Sequence, residues 1–189
     1  QINVWNFTSG RVEVVITVDG LSIMTGQEGS YADRGYCLHP SAGRVSIPGF
    51  RLNDMQAAQF VFNSAQASYA AQIGKPNNIG VIGAAFFTEK VRPQTGVIGA
   101  LRDEVGHQRF LHSDMGDMKS ATRGGSTPPG WFSMGPSVGT EFGDAVDFRV
   151  SRTEFEREHE NDPAAMLALR YETRERLLER GVDMNLRPR

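Results

Sequence analysis

Apolar and polar residues alternate with a period of two in the first part of the chain, which is typical of half-buried β-strands. Residues 2–7 and 11–18 show the clearest alternation, with Thr8-Ser9-Gly10 between them and the turn signal Asp19-Gly20 after them. Because Gly and Asp favour tight turns between strands, the two stretches predict a β-hairpin that ends at Asp19-Gly20.

Further strands and two short helical segments follow from the same pattern. Ser64 to Ile73 predicts one or two helical turns closed by Gly74, and residues 173–180 predict a helix that ends at Gly181. Residues 164–171 fit both types, since Ala and Leu favour a helix whereas Leu167, Leu169 and Tyr171 alternate as in a strand; we assign a strand. The other predicted strands are residues 36–38, 44–47, 57–62, 78–87 and 146–155.

The middle of the chain differs from both ends. Residues 92–144 are rich in glycine and proline and have no sustained period. The 189 residues suit one domain, so we divide them into strands over 1–91, a long excursion over 92–144, and closing strands with a C-terminal helix over 145–189. This organisation predicts a mainly β fold, an antiparallel β-sandwich of Ig-like or jelly-roll-like type with a long central loop region and a short C-terminal α-helix.

Composition excludes several classes of partner. The net charge is −2, with 20 Lys and Arg against 22 Asp and Glu, which gives no overall field to attract nucleic acid. The longest apolar runs are far shorter than the roughly 20 residues of a membrane-spanning helix, so we expect no transmembrane segment. Cys37 is the single cysteine; it cannot form an intramolecular disulfide, and its strand-like surroundings predict a small buried hydrophobe.

Two blocks of sequence stand out, the first formed by residues 31–36, 48–51, 58–62, 68–70 and 78–83 with Pro40, and the second by residues 139–143, 155–157 and 169–171 with Pro163, Arg174 and Leu178. Together they resemble a widespread group of uncharacterised bacterial proteins that carry export signals. The resemblance implies a shared fold and bacterial export, to the periplasm, the cell surface or the extracellular space, and no activity. A chain that begins at Gln1 without an initiator Met fits the same expectation, because removal of a signal peptide leaves such a start.

One cluster has the character of a metal site. His107, His112, Asp114 and Asp117 lie within about ten residues, and imidazole with carboxylate can bind a divalent cation. Their spacing matches no established zinc motif, so the simpler interpretation is a polar loop with hydrogen-bonded histidines. We therefore predict no cofactor, with a divalent metal as the alternative.

Aromatic residues are the better indication of binding. Trp131 and Phe132 lie in a Pro- and Gly-rich stretch, and Phe110 lies in the same central region. Large apolar groups in such loops either plug the core or contact a partner. Trp5, Phe7 and Tyr36 belong to strand patterns and are predicted to be core.

No nucleophile or dinucleotide motif stands in its required context, so the sequence favours a non-enzymatic protein. The leading hypothesis is an exported structural or interaction protein that contacts copies of itself, as a homo-oligomer or filament, or an envelope partner, through its edge strands and central loop. The alternatives are a metal-binding module or metal-assisted hydrolase centred on His107 and His112, and a carbohydrate-binding module that uses Trp131.

Overall fold

The computed structural model describes residues 1–91 and 136–183. The helices are α1 (Tyr69–Gln72) and α2 (Arg174–Glu179), and short 3₁₀ turns cover Ala65–Ala67 and Pro76–Asn78. The strands are β1 (Ile2–Asn6), β2 (Val12–Val18), β3 (Leu21–Ser22), β4 (Tyr36–Leu38), β5 (Gly43–Ile47), β6 (Gly49–Arg51), β7 (Gln56–Ser64), β8 (Val81–Thr88), β9 (Val138–Asp147) and β10 (Ala165–Arg170).

The strands form antiparallel sheets, which confirms the predicted mainly β fold with a short C-terminal helix. The largest sheet has five strands in the order β10-β8-β2-β3, with β4 also paired to β2. A second sheet has the order β6-β7-β9, and β1 pairs with β5 in a two-stranded ribbon. No helix in the described part of the chain is long and apolar enough to cross a membrane.

The main core lies between the five-stranded and three-stranded sheets, as in a β-sandwich. Val14, Ile16 and Val18 point from β2 into this core, and Phe50 enters it from β6. The opposite side of β2 and β8 carries a smaller cluster of Val15, Ala85 and Phe87, against which Phe155 packs. Both faces of β2 are therefore buried, which explains its nearly continuous apolar sequence.

The hairpin signal at Asp19-Gly20 is confirmed, but the predicted pairing before it is wrong. Asp19 and Gly20 have φ values of 55° and 79°, as a two-residue type I′ turn requires, and they connect β2 to β3. β1 pairs with β5 along its whole length rather than with β2.

The assignment of Trp5 and Phe7 to the core is also wrong, whereas Tyr36 is buried as predicted. Trp5 is 50% and Phe7 80% exposed. Both alternating sets in residues 2–7 are partly apolar, so the sequence does not decide which face is buried. The ribbon turns Asn6 inward, where its amide donates to the carbonyl oxygens of Gly10 and His39 at 2.8 and 3.0 Å.

The tail contains one strand fewer than the sequence predicts. Residues 146–155 do not form a strand of their own, because Val146 and Asp147 are the end of β9 and the chain beyond them is irregular. Phe148 and Val150 instead pack on the edge of the main core. β9 begins at Val138, inside the stretch predicted as a loop, and residues 92–135 of that stretch lie outside the described residues.

Candidate functional site

β10 is an apolar strand that solvent reaches on both faces. All six of its residues are exposed, and Leu167 and Leu169 are 49% and 53% exposed. It pairs with β8 on one side only, and none of the described strands pairs with its other edge. An uncovered edge with exposed large apolar side chains is a template for further strand pairing.

The hydrogen-bonding register determines which backbone groups this edge presents. The N–H of Tyr171 donates to the carbonyl oxygen of Gly80 at 2.9 Å, so the odd-numbered residues of β10 bond to β8. Because backbone groups in an antiparallel strand alternate in direction, the N–H and C=O groups of Met166, Ala168 and Arg170 point away from the sheet. They are available to a second strand.

The exposed side chains of β10 continue into an aromatic contact. Leu167 and Leu169 lie opposite Ala84 and Ile82 and therefore on the core side of the sheet, beyond the reach of the second sheet. Tyr171 continues this alternation, and its ring lies 5.2 Å from that of Phe62 on β7. Phe62 is itself largely exposed. The exposed apolar side chains of β10 are thus followed by an aromatic contact with β7 of the second sheet.

A buried carboxylate fixes the end of β10. Asp19, which is 1% exposed, accepts hydrogen bonds from the backbone N–H of Gly80 at 2.8 Å and of Thr140 at 2.7 Å. The Thr140 hydroxyl and the Tyr171 hydroxyl also donate to it. Burial and the bond to Asp19 raise the pKa of the Tyr171 phenol. Asp19 thus joins the β2–β3 turn to β8, to β9 and to the residue after β10.

An ion pair fixes the chain before β10. The Arg157 guanidinium lies 2.6 Å from the Glu13 carboxylate on β2, and both side chains are largely buried. The same guanidinium covers the Phe87 ring at 3.8 Å from its centroid and donates to the Asp33 carbonyl oxygen at 2.8 Å. Glu13 also accepts from the N–H of Gly35. The chain is therefore held to the sheet by polar contacts on both sides of β10, at Arg157 in the stretch before the strand and at Tyr171 directly after it.

The residues after Tyr171 continue this attachment. Glu172 accepts hydrogen bonds from the hydroxyl and the N–H of Ser137. Burial raises the pKa of the Glu172 carboxyl, but the hydrogen bonds from Ser137 and Thr173 and the charge of Arg176 together outweigh this effect and hold the pKa below its usual value. Thr173 then caps α2 by accepting from the N–H of Arg176 at 3.3 Å. The strand and the helix are thus joined without a flexible linker.

β9 also ends its sheet, but its edge is protected. It carries the acidic residues Glu141, Asp144 and Asp147, and like charges along an edge repel a second copy of the same strand. β10 carries a single charge, Arg170, at its last position. Of these two edges, β10 is therefore the one that can accept another strand without repulsion between like charges.

The candidate residues that the sequence singled out lie elsewhere. Trp131, Phe132, Phe110, His107, His112, Asp114 and Asp117 fall within 92–135, outside the described residues, so the binding and metal hypotheses stay predictions. Within residues 1–91 and 136–183 no group of three or more His, Cys, Asp or Glu could hold a metal ion. Cys37 is half-buried in β4, and burial followed by the charge of Glu13 raises the pKa of its thiol, which makes it a poor nucleophile.

Sequence reasoning identified β10 as a strand but not as an edge. The available sequence signal is that no charged residue lies between Pro163 and Arg170. This signal indicates an unprotected edge only when the order of the strands is known. The fold and the site define a class, an antiparallel β protein with an anchored and exposed edge strand. No protein family, curated protein or solved structure matches this chain.

Proposed function

We propose that this protein functions by self-association, with β10 of one copy adding to β10 of another to form a sheet that continues across both molecules. The observation that carries the proposal is the edge of β10, whose six residues are all exposed and include a single charge, together with the polar contacts of Arg157 before the strand and of Tyr171 directly after it. Such an arrangement keeps the strand in place without covering it. The protein is on this proposal a structural or interaction protein rather than an enzyme.

The outward-facing backbone groups favour one register. If an antiparallel two-fold passes through Ala168, Ala168 faces its own copy and Met166 faces Arg170, so all the outward-facing residues of β10 pair with one another. Leu167 then lies opposite Leu169 of the second copy. Each pair therefore joins two apolar side chains on the core side of the sheet, which favours cross-strand packing.

Charge favours the antiparallel arrangement over a parallel one. In a parallel, in-register pair the two Arg170 guanidinium groups would be neighbours and would repel. In the antiparallel pair centred on Ala168 the two Arg170 Cα atoms are four residues apart along the strand direction, about 14 Å. At that distance the repulsion between exposed charges is largely screened at physiological salt.

Sedimentation velocity over a concentration series tests the proposal with a matched pair of variants. Ala168→Pro removes an outward-facing N–H that makes no bond to β8, and proline is tolerated on edge strands. Ala168→Val keeps the N–H and favours a strand. We expect the unmodified protein and Ala168→Val to associate as concentration rises, and Ala168→Pro to stay a monomer with an unchanged circular dichroism spectrum.

Two results would overturn the proposal. One is an unmodified protein that sediments as a monomer at every concentration. The other is an Ala168→Pro variant that keeps its native spectrum and associates as strongly as Ala168→Val, since association would then use another surface.

A further inference from the structure

A cleft of about 740 Å³ opens on the side of the molecule formed by β4, β5, β6 and the irregular chain after β9. Its lining is unusual for a protein with a slightly negative net charge, because arginines dominate it. They come from separate parts of the sequence and converge only in the fold. These residues are Arg11, Arg34, Arg44, Arg51, Arg149 and Arg152.

Carboxylates within the cleft do not balance this charge. Glu13 and Glu154 are the acidic residues in its lining, and Glu13 is already paired with Arg157, outside it. At the rim, Asp54 is shared by Arg51 and Arg152. One carboxylate thus serves two guanidinium groups, and the cleft keeps an excess of positive charge.

Half of these arginines have no anionic partner within residues 1–91 and 136–183. Arg34, Arg44 and Arg149 are exposed, and none of them forms an ion pair with a residue of the described ranges. Their guanidinium groups can therefore turn toward a ligand without breaking an existing contact. A guanidinium binds carboxylate or phosphate oxygens through two parallel hydrogen bonds, which makes arginine well suited to anion recognition.

We propose that this cleft binds a small ligand with two or more anionic groups, carboxylates or phosphates, held by Arg34, Arg44 and Arg149, which have no anionic partner within residues 1–91 and 136–183. The volume lies within the range of about 300 to 1,000 Å³ that is usual for small-molecule sites. The site is separate from β10 and does not depend on self-association.

Isothermal titration calorimetry with citrate and with pyrophosphate tests the site and distinguishes its two chemistries. Both probes are titrated at a constant ionic strength set with sodium chloride, so that non-specific screening stays equal. We expect at least one of them to bind to the full chain at one site. The double variant Arg44→Gln/Arg149→Gln should weaken that binding about tenfold or more, because it removes two charged donors.

A matched double variant controls for the loss of charge. Arg174→Gln/Arg180→Gln removes the same charge from the first residue of α2 and from the residue that follows the helix, neither of which lines the cleft, and it should bind like the unmodified protein.

Three results would overturn the proposal. The first is that neither probe binds to the unmodified protein. The second is that both arginine double variants bind equally, since the effect would then come from net charge. The third is binding of a polymeric anion such as heparin without binding of either small probe, which would indicate an extended surface rather than a cleft.

Discussion

β2 and β10 flank the same strand, β8, and differ in almost every other respect. β2 (VEVVITV) is buried along nearly its whole length, with one residue partly exposed, whereas every residue of β10 (AMLALR) is exposed. Burial of apolar side chains therefore stabilises β2, at about 1.5 to 3 kcal/mol for each large side chain. β10 has little of this stabilisation and depends on its backbone bonds to β8 and on the polar contacts at its two ends.

This difference shows how an exposed apolar strand can stay ordered. Before β10, Arg157 contacts Glu13 of β2. Directly after β10, Tyr171 contacts Asp19 in the turn that follows β2. The buried strand and its turn thus provide the anchors for the exposed one. An exposed strand that is held in place by such contacts can accept a partner strand.

The largest effect is expected from the anchor before β10. Arg157→Met leaves the Glu13 carboxylate buried without its cation, which should lower the free energy of unfolding by about 3 to 5 kcal/mol. Urea denaturation measures this change. Arg152→Met is the control, because the Arg152 side chain is 79% exposed and its pair with Asp54 should contribute less than about 1 kcal/mol. Equal effects of the two substitutions would show that Arg157 is no anchor.

The next effect compares the two strands directly. Ile16→Ala in β2 removes a side chain that is 2% exposed and should lower the free energy of unfolding by about 2 to 5 kcal/mol. Leu169→Ala in β10 should change it by less than about 1 kcal/mol, since about half of that side chain is already in water. Both are measured by urea denaturation of dilute protein. Similar losses at the two positions would mean that β10 is covered within the molecule.

A smaller effect is expected at the anchor after β10. Tyr171→Phe removes one hydrogen bond to the Asp19 carboxylate and should lower the free energy of unfolding by roughly 1.5 to 3 kcal/mol near neutral pH. In the Asp19→Asn background the loss caused by Tyr171→Phe should be smaller, because a neutral amide oxygen accepts a weaker hydrogen bond than a carboxylate does. Fully additive losses of unfolding free energy would show that Tyr171 and Asp19 do not stabilise the fold through a shared contact.

The same tyrosine predicts a dependence on alkaline pH. Its pKa is raised in the folded protein, so above about pH 10 the unfolded chain loses a proton that the folded protein retains. Its contribution is therefore complete below about pH 10 and decreases as pH rises further, by about 1.4 kcal/mol for each pH unit. Thermal unfolding between neutral and alkaline pH should show a shallower loss for Tyr171→Phe. An unchanged slope would contradict the role of Tyr171.

The sequence predicts the elements better than it predicts their neighbours. The alternation of β2 and the Asp19-Gly20 turn identify a strand and a hairpin, because both signals are local. The pairing of β1 with β5 is not local, and residues 2–7 have apolar side chains on both faces, so neither the partner nor the exposed position of Trp5 follows from the pattern. β10 is recognisable as a strand for the same local reason, but its position at an edge depends on the order of strands.

The two candidate sites escape sequence reasoning for a related reason. The net charge of −2 averages over the chain and conceals an arginine cluster assembled from four separate parts of it. In the sequence, Asp19 indicates only a turn. The four hydrogen bonds that its carboxylate accepts from Gly80, Thr140 and Tyr171 depend on the fold. Long-range convergence of polar groups leaves no periodic trace in a sequence.

Amide hydrogen exchange of β10 as a function of protein concentration tests the central claim most directly. In dilute solution the outward-facing amides of Met166, Ala168 and Arg170 should exchange fast, whereas those of Leu167 and Leu169, bonded to β8, should exchange slowly. As concentration rises, the first set alone should become protected. If that set stays unprotected at every concentration, or is equally protected at every dilution, β10 is not the edge through which copies of this protein associate.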